Sequence, residues 1–196
     1  MKLKGLILLA MAAVTTPVFA MDAACQFVQT TVGRVEQIIN MSGSSRDAQA
    51  CALIKATADV NYIGSQWLGD YANSGDTAGI NQFYKLVPSI LVTKIEKQAG
   101  GKSASGATVT VNPTATDRGN GVYGVDVTIQ TSSNSYNGTA VVTNAGGGWR
   151  LMDIEYMGFS GVSYMSSDIQ NTLSGASSVS DADQQIESAS GFIRCP

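Results

Sequence analysis

Apolar residues recur at Val28, Val32, Val35 and Ile39, a spacing that puts them on one face of a helix over residues 25–41. Phe27 and Ile38 widen that face. "SGSS" interrupts the pattern, and an alanine-rich helix is predicted over residues 46–58. Val60, Ile63, Trp67, Leu68 and Tyr71 carry the apolar face onward. Gly64 and Gly69 lie within it at about 1 kcal/mol each in helix propensity, which points to close packing. Asp76 and Thr77 are N-cap residues for a further helix whose inward face holds Ile80, Phe83, Tyr84, Val87, Leu91 and Ile95. Pro88 removes a hydrogen bond inside that helix and predicts a kink near residues 84–88. "GGKSASG" closes the helical half.

Beyond Gly106 the period changes from 3.6 to 2. "ATVTV", "VYGVDVTIQT", "SYNGTAVVT" and "GWRLMDIEYM" alternate, with Val125, Val127 and Ile129 opposite Asp126, Thr128 and Gln130. "DRGNG", "SSNS" and "NAGGG" supply the turns. In the fourth strand the alternation turns Met152, Ile154 and Tyr156 toward the helices, and Asp153 and Glu155 outward. A weak helix around Ile169 and Leu173 and a serine-rich tail are predicted to follow. Helices first and strands second give an α+β fold: a helical half packed on a curved antiparallel four-stranded sheet, with an apolar cavity between the layers.

The N-terminus changes the organisation. Lys2 and Lys4 precede "GLILLAMAAV", and Val18 and Ala20 fit the small-residue pattern of a cleavage site. The run is shorter than the roughly 20 apolar residues that span a bilayer. A cleaved signal peptide at 1–20, export to the periplasm, a domain over 21–180 and a C-terminal tail over 181–196 are the expected layout. Asp22, three residues before Cys25, argues against lipidation. Without Lys2 and Lys4, 10 of the 12 basic residues remain against 15 acidic ones, a net charge of −5. That balance, with no basic stripe, argues against nucleic acid.

Candidate chemistry is narrowed most by the absence of histidine, which removes Ser-His-Asp and Cys-His nucleophile systems and most zinc sites. Ser160 in "GFSG" lacks the glycine two residues later that a nucleophile elbow needs. No catalytic or metal-ligating set and no cofactor is expected. Asp126, Asp153 and Glu155 are the only carboxylates in the long strands, and the alternation places each away from the cavity face. Export permits a disulfide among Cys25, Cys51 and Cys195. In an antiparallel helix pair Cys25 and Cys51 would lie on the order of 15 Å apart, so Cys195 is expected to pair with Cys51 or Cys25.

Two segments then carry a resemblance. Asp59, Leu68, Gly69, Thr77, Phe83 and Leu91 in the helical half, and Trp149, Arg150, Asp153, Gly158 and Ser160 in "WRLMDIEYMGFS", stand at spacings similar to those of the MlaC/Ttg2D family. These are periplasmic phospholipid carriers also described as toluene-tolerance proteins. Gly161 and Ser163 offer a second alignment of the Gly-x-Ser run. Met165, Ser166, Ile169 and Ile95 depart from the family's Tyr-Arg pair and aromatics. The resemblance implies a fold like that of nuclear transport factor 2 (NTF2-like) and no enzymatic activity. It also implies a phospholipid ligand carried by a monomer between an outer-membrane lipoprotein complex and an inner-membrane ABC transporter with its lipid-binding subunit. Two sixteen-carbon chains represent roughly 25 kcal/mol of apolar transfer at about 0.8 kcal/mol per CH₂, so a carrier must shield nearly all of them. The expected liners are Trp67, Leu68, Phe83, Val87, Leu91, Val125, Val127, Ile129, Ile154, Tyr156, Phe159, Val162, Tyr164 and Met165. A hopanoid carrier, an NTF2-like enzyme and an adaptor without lipid remain alternatives.

Overall fold

In the computed structural model, which describes residues 21–99 and 107–196, the first stripe becomes α1 (Ala23–Ile39), followed by α2 (Gly43–Thr57). The expected signal peptide and the "GGKSASG" break lie outside the described residues. The third helix, α3 (Val60–Leu68), starts where the Asp59 carboxylate accepts the Tyr62 amide at 3.0 Å, satisfying one of the donors a helix N-terminus leaves free. A short 3-10 turn, Gly69–Asn73, leads to α4 (Thr77–Ala99), which continues through Pro88. No described helix is long and apolar enough to cross a membrane.

The second half folds as β1 (Thr108–Val111), β2 (Thr116–Gly119), β3 (Val122–Gln130), β4 (Ser135–Thr143), β5 (Arg150–Tyr156) and β6 (Phe159–Ser160). The sheet is antiparallel in the order β1-β3-β4-β5-β6, with β2 also pairing β3. Four of these strands are those read from the alternation; β2 and β6 are short additions at turns. The mixed helix and antiparallel-sheet fold is therefore as expected, but the covering of the sheet differs from the expectation. Among the described residues α1 closes over the sheet's apolar face, through Ala24, Cys25 and Val28 against Val111, Val125, Ala140 and Val142, while α3 and α5 reach the sheet at β5. Trp67, Leu68, Phe83, Val87, Leu91 and Val162 form a second core among the other helices. The reason lies in α4. Residues 86–93 are buried without interruption, so this helix is enclosed by neighbours rather than laid on a sheet by one face. The two cores meet at β5, where the Asp59 amide donates to the Leu151 carbonyl at 2.8 Å and Arg150 donates to the Ala56 carbonyl at 3.0 Å.

The weak helix expected around Ile169 and Leu173 is α5 (Gly161–Gly175), and the serine-rich stretch after it carries a further helix, α6 (Val179–Ser188), burying Val179, Ala182 and Ile186 in the helical core. Three apolar positions spaced by three or four are enough for docking, and they were hidden among serines and acids. Asp76 joins α4 to α6: its carboxylate accepts the amides of Gly79 at 3.0 Å and Ser180 at 2.7 Å, and the Ser180 hydroxyl at 3.0 Å. These bonds hold the Asp76 carboxyl below the usual range. Cys195 is bridged to Cys51, Cys25 is free and buried, and the Cys195 amide donates to the Ser89 hydroxyl at 2.9 Å.

Gly79 shows how close the helices come, because a Cβ there would sit 2.4 Å from the Ser180 backbone nitrogen. Backbone cannot swing aside as a side chain does. Gly79→Ala is expected to destabilise the protein by about 1–3 kcal/mol, against the usual gain from replacing a helical glycine with alanine. Urea unfolding of the variant checks it, and an unchanged or raised midpoint would remove the close-packing account.

Candidate functional site

The first turns of α1 are seated by polar contacts at the N-terminus. The Asp22 amide donates to the Pro113 carbonyl at 3.1 Å, and the Asp22 carboxylate accepts the Ala115 amide at 2.9 Å. The later turns stand off the sheet, leaving Val35 and Ile39 exposed. Between α1 and the sheet this leaves a groove of about 360 Å³. Its α1 wall is Phe27, Val28, Val32, Val35 and Ile39, and its sheet wall includes Val109, Val127, Ile129, Ala140, Leu151 and Ile154, with Thr31 and Glu36 as its polar side chains. The helical stripe at intervals of three and four faces the period-2 positions of the strands, so two independent sequence patterns meet in one apolar slot.

The apolar strip continues beyond the helix. Tyr136 is the register partner of Ile129, and Tyr156 pairs with Phe159. The Tyr136 and Tyr156 ring centroids are 6.3 Å apart. Met157 and Gly158, both at positive φ, make the tight β5–β6 turn, a conformation that glycine adopts without strain. The Ser160 hydroxyl then accepts the Ser163 amide and caps α5. In this arrangement Gly158 and Ser160 hold the turn and cap positions, while Gly161 and Ser163 lie in the first turn of α5.

Of the fourteen expected liners, Val127, Ile129 and Ile154 face this groove. Val125 is buried beneath α1, in the core beside it. Trp67, Leu68, Phe83, Val87, Leu91 and Val162 lie in the helical core, with Met165 packed half-buried against them; Trp67 also donates its indole N–H to the Val162 carbonyl at 3.0 Å. Tyr156, Phe159 and Tyr164 are exposed. Sequence reasoning found the α1 stripe but did not assign Val28, Val32, Val35 and Ile39 to the lining, and it left out Val109, Ala140 and Leu151. Their signal was the unmatched width of the α1 apolar face.

The expected phase of β5 needs correction. Val141 pairs with Asp153 and Val142 with Leu151, so Met152 is an extra residue in a bulge. Leu151 therefore shares the groove with Ile154. Asp153 is buried rather than turned outward to water, accepting the Ile154 amide at 2.7 Å and the Val162 amide at 3.0 Å. Its carboxylate holds the start of α5 against the strand. Glu155 is paired in two parallel 2.7 Å hydrogen bonds to Arg118, which holds its carboxyl below the usual range. Asp126 is exposed and accepts the Thr139 hydroxyl at 2.9 Å. None of the three lines the groove. Among the described residues no cluster of three or more His, Cys, Asp or Glu side chains could hold a metal ion.

The MlaC protein family matches residues 26–188, from the first turn of α1 to the end of α6. The chain belongs to the MlaC family. A solved structure of similar fold is that of the phospholipid-binding protein from Ralstonia solanacearum in complex with a phospholipid. It aligns with a TM-score of 0.64 at 16% identity, covering 83% of this MlaC-family chain and 93% of the other. None of the curated proteins compared with the chain matches it. At that identity the likeness is one of fold, and both motif groups fall inside the MlaC match, with Asp59, Gly158 and Ser160 serving as helix cap, turn and helix cap.

Proposed function

We propose that this MlaC-family chain is a carrier that binds phospholipid acyl chains in the groove between α1 and the sheet. It shuttles them through the periplasm between outer and inner membranes as the soluble component of an Mla-type ABC transport system. The observation that carries the binding step is the groove itself, an almost wholly apolar slot left open along Val35 and Ile39. Membership of the family and a phospholipid-bound structure of the same fold support it, and both point to a binding or transport protein rather than an enzyme. A slot of about 360 Å³ lies at the small end of the roughly 300–1,000 Å³ that holds drug-sized ligands. A two-chain lipid therefore requires α1 to move outward from the sheet.

Native mass spectrometry of the mature chain purified from a bacterial periplasm, followed by lipid extraction, tests the reading. Bound phospholipid is expected; a lipid-free protein that takes up none on mixing would sink it. Val32→Trp fills the groove from a half-buried position on α1. Losing room for about two methylenes at about 0.8 kcal/mol each reduces lipid affinity about tenfold, while the thermal midpoint is expected to hold.

A further inference from the structure

A second cleft, of about 420 Å³, opens where the later turns of α4 meet α5, α6 and the segment 189–196, and it shares no lining residue with the groove between α1 and the sheet. Its floor is hydrocarbon: Ile90, Ile169 and Ile186, one from each helix and all buried. Ala189 and Phe192 of the C-terminal segment form a wall. That wall is fastened in place, because the Ile193 amide donates to the Thr93 hydroxyl, the Cys195 amide to the Ser89 hydroxyl, and Cys195 is bridged to Cys51. The cleft is thus part of the folded structure, which lowers the cost of ordering around a ligand.

The rim is cationic in a chain with an excess of acid. Lys94 and Lys97, three residues apart on α4, both line the cleft, against one lining acid, Asp168. Lys94 donates to Asp168 at 2.8 Å, and the pair is lopsided: the lysine side chain is 17% exposed and the aspartate 79%. A carboxylate so open to water holds its partner weakly. Lys97 pairs with no acid among the described residues, and those include all 15 acids of the chain. Two ammonium groups at the edge of an apolar floor are therefore answered by a single solvated carboxylate.

We infer that this cleft binds a single-chain amphiphilic anion, a carboxylate on a short apolar tail, with the tail on the isoleucine floor and the carboxylate at Lys94 and Lys97. Both ends contribute, since ammonium to carboxylate makes charge-assisted hydrogen bonds and the tail leaves water. An organic cation would meet like charge at the rim. An uncharged hydrocarbon would leave Lys97 unanswered, and a polyanion would set its further charges against isoleucine. The volume lies at the small end of the range for ligand pockets, so a two-chain phospholipid does not fit. The ligand thus differs in kind from the cargo proposed for the groove, and the inference does not depend on that reading.

Titration calorimetry with decanoate, below its micellar concentration and at neutral pH, compares the mature parent chain with Lys94→Gln/Lys97→Gln, Ala189→Trp and Val32→Trp. The parent chain is expected to bind decanoate, and to bind decyltrimethylammonium, which has the same tail and the opposite charge, at least about tenfold more weakly. Neutralising both lysines is expected to weaken decanoate binding about tenfold or more. Ala189→Trp fills the cleft from an exposed position and keeps both lysines; it is expected to weaken decanoate as well. Val32→Trp occupies the groove instead and is expected to leave decanoate binding unchanged. No binding by the parent chain, equal binding of the two amphiphiles, binding that survives either cleft variant, or binding lost in Val32→Trp overturns the inference. Phospholipid extracted with the protein reports on the groove, so its absence would count against the carrier reading and leave the cleft to be decided by decanoate.

Discussion

Replacing both Cys51 and Cys195 with alanine is expected to lower the free energy of unfolding by about 3–5 kcal/mol, the range for a native bridge that closes a long loop. The two cysteines are 144 residues apart, so the bond encloses most of the described chain and removes a large share of the unfolded chain's freedom. Phe192 packs against the helical core, and Arg194 donates to the Glu187 carbonyl at 3.1 Å. Beside the bridge, the Ile193 and Cys195 amides donate to the hydroxyls of Thr93 and Ser89 at 2.9 Å each, and Lys55 reaches the Pro196 carbonyl. Cys25 does not compete for the bridge in the folded state, because it is buried between α1 and the sheet, and its thiol is pushed up first by burial and then by Asp22. Urea unfolding of the double variant, with the parent chain under reducing conditions as a second measurement, checks the size. A loss below about 1 kcal/mol in both would show that the bridge is incidental to stability.

The sequence made the architecture readable wherever one face of an element was apolar. The α1 stripe and the alternation of β3 each predict what the structure contains, because a single local pattern decides them. What stayed hidden depended on partners distant in sequence. Trp67, Phe83 and Leu91 carry the same apolar signal whether they line a ligand site or pack against α5 and α6, and only the docking of α6 decides that they are core. Periodicity in β5 failed at Met152, since a bulge is set by pairing across to Val141 and Val142. Asp153 reads as an outward residue in any strict alternation. Its burial follows from the two backbone amides that converge on it, one of them nine residues away in α5. Polar composition likewise disguised α6, in which Val179, Ala182 and Ile186 are the buried minority.

The other large effect concerns a buried acid in that disguised helix. Asp183 is 3% exposed, and neither carboxylate oxygen has a hydrogen-bond partner among the described residues. Burial, followed by the charges of Glu187 and Asp76, pushes its carboxyl up to about 7 from an ordinary value of 3.8. A folded state that binds the proton more tightly than the unfolded chain is favoured while the acid is protonated. The Asp183 contribution is therefore fully favourable below about pH 4, declines as the pH rises toward 7, and is flat above. At about 1.4 kcal/mol per pH unit the decline is on the order of 4 kcal/mol. Asp76, Glu155, Asp168 and Asp181 act in the opposite sense, since amide, hydroxyl or cationic partners hold them low. Their contribution is present at neutral pH and is lost as the pH falls below about 4. Stability is thus expected to peak on the acid side of neutrality, and ionisation of Asp183 to loosen α6 from α4 at the end secured by Asp76. Asp183→Asn keeps the shape without a titrating proton. Its buried amide has a cost of its own, so the decisive quantity is the slope of unfolding free energy between pH 5 and pH 8. The parent chain should fall steeply and the variant should not; parallel curves would show that Asp183 is already ionised and solvated in the folded protein.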